Sequence, residues 1–62
     1  MLTVKEMLEE LAKRGFSQNA IAIRAGTTQP TIHRASKGAD VLYETGKAIE
    51  LIYLTETQKT AA

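Results

Sequence analysis

The chain has no cysteine and a single histidine among its 62 residues. Without cysteine, neither a disulfide framework nor a thiolate metal site can form, which fits a reducing cytoplasm. A single histidine leaves no nucleophile–base pair with an orienting partner, so we expect no enzyme, no metal and no cofactor. No apolar run is long enough to span a bilayer or to act as a secretory signal. These absences favour a cytoplasmic binding protein. A chain of 62 residues is expected to form one domain.

Acidic residues are missing from the middle of the chain. No Asp or Glu lies between Leu11 and Ala39, whereas this window contains several basic side chains: Lys13, Arg14, Arg24, His33, Arg34 and Lys37. Glu9 and Glu10 stand four residues before Lys13 and Arg14, so those charges can pair along a helix. Arg24, Arg34 and Lys37 have no acid at such a spacing. The net charge of +1 says little about partners, but the basic middle can approach phosphates without repulsion.

Helix-start and helix-stop signals recur along the chain and predict an all-α protein of four helices. Thr3 with Glu6 forms a capping box before the first helix, and Gly15 suits its end. Ser17 caps a second helix that ends at Gly26. Thr28 caps a third, which starts at Gln29, tolerates Pro30 in its first turn and ends at 37–38. No alternating β-branched run or hairpin signal predicts a strand.

The fourth predicted helix follows Asp40 as its cap. Its main apolar side is expected to contain Leu42, Ile49, Ile52 and Tyr53. Residues 55–62 have no apolar face, so we expect a flexible C-terminal tail after a folded domain of residues 1–54.

Only residues 26–28 join the second and third helices. A turn this short that contains glycine is typical of the helix-turn-helix, in which the two helices cross steeply. Small residues are expected where these helices touch, and Ala22, Ala25 and Ala35 supply them.

The pattern of these two helices resembles the helix-turn-helix of phage lambda-type repressor and Cro proteins. The residues in register are Gln18, Ile21, Ala22, Gly26, Thr28, Gln29, Ile32 and Gly38. Thr27 and Ala35 depart from the family, in which larger apolar residues are common at these two positions. The resemblance covers about residues 3–54 and implies a compact lambda-repressor-like DNA-binding domain, with four helices where five are usual.

The resemblance implies a small phage or prophage transcription regulator that places the third helix in the DNA major groove. Base contacts are then expected from Gln29, Pro30, His33 and Arg34. Phosphate contacts are expected from Ser17, Gln18, Arg24, Thr28 and Lys37. Occupancy of a palindromic operator excludes polymerase or a competing regulator.

A second stripe on the fourth helix predicts a homodimer that is weak without DNA. It consists of Tyr43, Lys47, Leu51 and Leu54, which point away from the expected core side. A two-fold dimer matches an operator of two half-sites. Two other functions stay open: the DNA-binding antitoxin of a toxin–antitoxin pair, and a helical protein-interaction module that has lost DNA binding.

Overall fold

The computed structural model of the chain describes residues 2–58. It contains four α-helices: α1 (Val4–Lys13), α2 (Gln18–Ala25), α3 (Gln29–Ser36) and α4 (Tyr43–Gln58). No strand occurs in the part of the chain that the structure describes, so the predicted all-helical architecture is confirmed. Within the same range, no helix is both long enough and apolar enough to cross a membrane.

The first two helices begin where their caps predict. Thr3 Oγ1 accepts a hydrogen bond from Glu6 N at 3.1 Å, and Glu6 Oε1 accepts one from Thr3 N at 2.9 Å, which completes the capping box. The Thr3 backbone N–H stabilises the charged carboxylate, so the pKa of Glu6 is lowered. At α2, Ser17 Oγ accepts from Ala20 N at 3.0 Å. Local side-chain capping therefore sets both helix starts.

The core contains one large, fully buried side chain from each helix. These are Leu11, Ile21, Ile32 and Ile49. Met7, Leu8, Ala22, Ala35 and Ile52 complete the buried cluster. Helices α1 and α2 each pack against both α3 and α4. Helices α1 and α2 thus pack against one side of α3, and its opposite side is open to solvent.

The turn between α2 and α3 consists of three residues, 26–28. Gly26 has φ 72° and ψ 30°, the left-handed conformation that glycine adopts without steric cost. The Thr27 N–H donates to Ala22 O at 2.9 Å and satisfies one carbonyl at the end of α2. The predicted short turn is confirmed, and it brings the N-terminal ends of α2 and α3 close enough for side-chain contact.

One predicted cap is wrong in its chemistry. Thr28 lies at the N-cap of α3, with extended backbone angles, but its side chain makes no capping hydrogen bond. Its hydroxyl instead lies 3.0 Å from the Thr31 hydroxyl. The Thr31 side chain thus replaces a backbone N–H as the hydrogen-bond partner of the Thr28 hydroxyl.

The fourth helix begins later than predicted. α4 starts at Tyr43, so Asp40 is not its cap, and the Gly46 N–H donates to Leu42 O at 2.9 Å. Val41 packs against the buried cluster in non-helical backbone, which holds the preceding residues out of the helix. Leu42 is therefore not on the core side of α4; it is 78% exposed.

The fourth helix also ends later than predicted. Residues 55–58 were expected in a flexible tail, but α4 continues to Gln58. Within this extension Glu56 pairs with Arg24 of α2, which ties the end of α4 to the rest of the domain. The remainder of the expected tail, residues 59–62, lies outside the described residues.

Candidate nucleic-acid interface

Helix α3 has a buried side and a polar, exposed side. Ile32 and Ala35 are buried against α1 and α2. The exposed side contains the four residues expected to contact bases and one expected to contact phosphate: Gln29, Pro30, His33, Arg34 and Lys37. We call these five residues the α3 open face. The structure therefore places all five on the solvent side of one helix.

The side chain of Gln29 is held by α2. Its Nε2 donates to Gln18 Oε1 at 2.6 Å, across the turn between the two helices. Gln18 is half-buried, so it is a firmer support than a fully solvated side chain. The contact uses one of the two N–H groups of the Gln29 amide and does not use the other N–H or the carbonyl oxygen.

Ser36 anchors Gln18 in turn. Gln18 Nε2 donates to Ser36 Oγ at 3.3 Å, and Ser36 Oγ donates to His33 O at 2.6 Å. Ser36 is not among the residues that the sequence predicts for the site. Its spacing was nevertheless a signal, since Gln29 and Ser36 are seven residues apart and lie on one side of α3. A single side chain from α2 can therefore contact both.

Arg34 has one polar neighbour on its own helix. Its Nη2 lies 3.5 Å from Thr31 Oγ1, the hydroxyl that also contacts Thr28. No carboxylate within residues 2–58 forms an ion pair with Arg34 or Lys37. Both cations are exposed, so they are available to an anionic partner. Thr31 is a further residue that the sequence reasoning did not single out.

The contact of Gln18 with Gln29 places the N-terminus of α2 beside the α3 open face. Ser17 is exposed and caps α2, and the first backbone N–H groups of a helix have no intrahelical partner. Such groups can donate to a phosphate oxygen. Thr28 is also exposed, at the start of α3, while Lys37 follows its end. The residues expected to contact phosphate thus lie near both ends of α3.

Arg24 has a different environment from the other expected phosphate contacts. Its Nη1 lies 2.8 Å from Glu56 Oε2, and its Cζ lies 5.7 Å from the centroid of the Phe16 ring. No acid lies near Arg24 in the sequence, but the fold places Glu56, which is 32 residues away, beside it. The pair joins α2 to the end of α4, which gives Arg24 a structural role; its phosphate contact stays a prediction.

The stripe predicted on α4 is solvent-exposed. Tyr43 is 78% exposed, Leu51 66% and Leu54 42%. Lys47 Nζ lies 2.9 Å from Glu50 Oε1, and this hydrogen bond to the carboxylate raises the pKa of Lys47. The stripe therefore consists of three apolar side chains and one cation, with a paired acid at its edge.

Comparison of the chain with protein-family models, with curated proteins and with solved structures gives no match.

Proposed function

We propose that the protein binds double-stranded DNA sequence-specifically, as a small Cro-like or repressor-like transcription regulator. Helices α2 and α3 act as the helix-turn-helix of a lambda-repressor-like domain, with the α3 open face in the major groove. Bound at an operator, the protein excludes polymerase or a competing regulator.

The arrangement of Gln29 is the observation that carries this proposal. Recognition of adenine by an amide needs one donor and one acceptor presented together, for N7 and the N6 amino group. Gln18 takes up one N–H of Gln29 at 2.6 Å and leaves one N–H and the carbonyl for a base. Because the amide is already ordered, binding costs less side-chain entropy than it does for a free glutamine.

The charge of the surface supports the same proposal. Arg34 and Lys37 are exposed on the side that enters the groove, and the sequence contains no acid from position 11 to position 39. Arginine can bind guanine through two hydrogen bonds, and Pro30 offers an apolar surface to a thymine methyl group. A polyanion meets no repulsive carboxylate from this part of the sequence.

The size of α3 also fits a major groove. An α-helix with its side chains is about 10–12 Å across, which is similar to the groove width of about 12 Å, and the eight residues of α3 extend about 12 Å. Contacts near Ser17 at one end and Lys37 at the other fix the helix between two phosphate backbones, while the central side chains reach the bases.

Selection of bound duplexes from a random DNA library tests the proposal. We expect one sequence to be enriched, with binding that weakens steeply as salt rises. The variant Gln29→Glu, which replaces the amide donor with a charged acceptor of similar shape, should lose the enrichment. Gln58→Glu makes the same chemical change on α4, away from α3, and should keep it. Binding without sequence preference, or equal behaviour of the two variants, contradicts the proposal.

The exposed stripe on α4 is the observation that favours a second candidate, a helical protein-interaction module. Such a module uses Tyr43, Leu51 and Leu54 and does not need the α3 open face. The same selection separates the two, because a module without DNA binding enriches no sequence. Antitoxin activity needs a toxin-binding segment, and no contact within residues 2–58 singles one out.

A further inference from the structure

Helix α4 presents an apolar surface that its own domain does not cover. Its core side is occupied by Ile49 and Ile52, whereas Tyr43, Leu51 and Leu54 stay largely exposed on the other side. Leu42, next to Tyr43 and 78% exposed, extends this surface at one end. Single exposed leucines are ordinary, but several adjacent to an aromatic ring indicate a contact surface.

Four residues of this side of α4 lie symmetrically about one point of the helix. Tyr43 and Leu54 are equally far from the midpoint between Ala48 and Ile49, and so are Lys47 and Glu50. An antiparallel second copy of α4, related by a two-fold axis at that midpoint, brings Tyr43 opposite Leu54 and Lys47 opposite Glu50, each pair twice. The apolar pair and the charged pair thus specify the same register.

We propose that α4 pairs with α4 of a second copy of this chain, antiparallel, in this register. The charges favour a copy over another occupant, because Lys47 and Glu50 neutralise each other across the axis. A nucleic acid on this surface would meet the like charge of the Glu50 carboxylate and apolar side chains, neither of which favours its binding. Lys47 and Glu50 already contact each other at 2.9 Å within one chain, and both lie next to the proposed two-fold axis, so exchange between copies needs only side-chain rotation.

The interface is small. It involves one helix from each copy, and such a contact is well below the roughly 800 Å² per partner of a standard stable complex. We therefore expect weak association without DNA and stronger association when two copies occupy adjacent half-sites. That second expectation rests on the proposed DNA binding, whereas the pairing itself does not.

Disulfide trapping tests the register directly, because the chain has no cysteine of its own. Tyr43→Cys protein mixed with Leu54→Cys protein should give a mixed disulfide under mild oxidation. Each protein alone should cross-link at least tenfold more slowly, since position 43 lies about 16 Å along the helix from its symmetry mate at 1.5 Å per residue. Fast cross-linking of Tyr43→Cys alone overturns the register. If the mixture cross-links no faster than Ile23→Cys protein, whose cysteine is at an exposed position on α2, the dimer is overturned.

Charge reversal gives a second test, with sedimentation as the measurement and circular dichroism to verify folding. Lys47→Glu and Glu50→Lys should each weaken self-association at least tenfold, and the chain with both changes should recover the parent's association. Failure of that recovery contradicts the charged pair.

A third variant separates this inference from the proposed function. Leu51→Asp with Leu54→Asp should stay helical and bind a single half-site like the parent, but lose cooperative occupancy of two half-sites. Ile23→Asp should leave self-association unchanged. Parent-like cooperativity in the double variant overturns the dimer surface. If the parent binds no DNA but the mixed disulfide still forms, the proposed function is wrong and the dimer stands.

Discussion

The α3 open face and the α4 stripe are both exposed helix surfaces in one small domain, but they are built differently. Each helix inserts a fully buried isoleucine, Ile32 or Ile49, into the same core. On α3 the opposite side is polar, and Gln29 is held by a neighbouring helix at 2.6 Å. On α4 the opposite side is largely apolar, and the polar contact beside it, between Lys47 and Glu50, is internal to the helix.

The difference shows what each kind of recognition requires. Hydrogen bonds to a base edge have strict directions, so the donor and acceptor must be oriented beforehand, and a second helix does this for Gln29. Apolar contact is non-directional and needs only exposed area with a matching shape. A surface for specific DNA sequences therefore depends on tertiary contacts, whereas a surface for weak pairing can arise from the spacing of residues on a single helix.

The largest effect is expected from the buried side of α3. Ile32→Ala should lower the free energy of unfolding by about 2–5 kcal/mol, because it leaves a cavity where a fully buried side chain stood. Leu51→Ala on the α4 stripe should change it by about 0.5 kcal/mol or less. Urea denaturation followed by circular dichroism measures both. Because Ile32→Ala could prevent folding, Ile32→Val serves as a milder variant, with an expected loss of about 0.5–1.5 kcal/mol. Equal losses in Ile32→Val and Leu51→Ala contradict the division into buried and open sides.

The next effect concerns DNA affinity on the α3 open face. Gln29→Ala and Arg34→Ala should each weaken binding to the selected operator by about 1–3 kcal/mol and relax preference at one base position per half-site. Arg14→Ala, at the exposed end of α1, and Gln58→Ala serve as matched controls and should bind like the parent. Gel-shift titrations at fixed salt provide the affinities. Unchanged preference in both α3 variants contradicts the base-contact assignment.

Gln18 should act through Gln29. Gln18→Ala removes the support for the Gln29 amide and is expected to weaken operator binding by more than half of the Gln29→Ala loss. The variant with both changes should be little weaker than Gln29→Ala alone, since the two residues contact each other. A double-variant cycle on the same operator measures this coupling. Additive losses show that Gln18 contacts DNA independently of Gln29.

A smaller effect is expected from Lys37. Lys37→Ala should weaken binding to all sequences alike and make the salt dependence shallower by about one unit of log affinity per log salt. Lys5→Ala, on α1, should leave the slope unchanged. A Lys37→Ala protein with altered sequence preference and the parent's slope contradicts a phosphate contact.

The smallest effect separates Arg24 from the α3 open face. Arg24→Ala and Glu56→Ala should each cost up to about 1 kcal/mol of stability, and the double variant should cost little more, because the partially exposed pair is screened by solvent. Arg24→Ala should make the salt dependence of DNA binding shallower by less than Lys37→Ala does, because the pairing with Glu56 already neutralises part of the Arg24 charge. The parent's slope in Arg24→Ala removes Arg24 from the phosphate contacts.

Much of the fold could be predicted because its signals are local. Thr3 with Glu6, Ser17 and Gly26 mark helix ends through contacts within a few residues, and the structure contains each of them. The start of α4 could not be predicted in this way. Asp40 is a good capping residue, but the partly buried Val41 packs against the core in non-helical backbone, and α4 starts only at Tyr43. Local propensity loses there to packing, which no short window of sequence contains.

The candidate site also has a part that could be predicted from the sequence and a part that could not. Helical spacing alone predicted which residues of α3 face solvent, and the structure confirms their exposure. It could not predict that Thr31 replaces the backbone as the partner of Thr28, or that Ser36 holds Gln18, because these contacts depend on side-chain geometry.

By itself, the sequence determined the four helices, the three-residue turn and the sides on which Ile32 and Leu51 lie, since these follow from caps and helical period. Only the tertiary structure decided the partners of the long polar side chains. Arg24 meets Glu56 from 32 residues away, and Gln29 meets Gln18 across the turn. A helix repeats every 3.6 residues and can be predicted from neighbours, whereas a contact between helices depends on how the whole core packs.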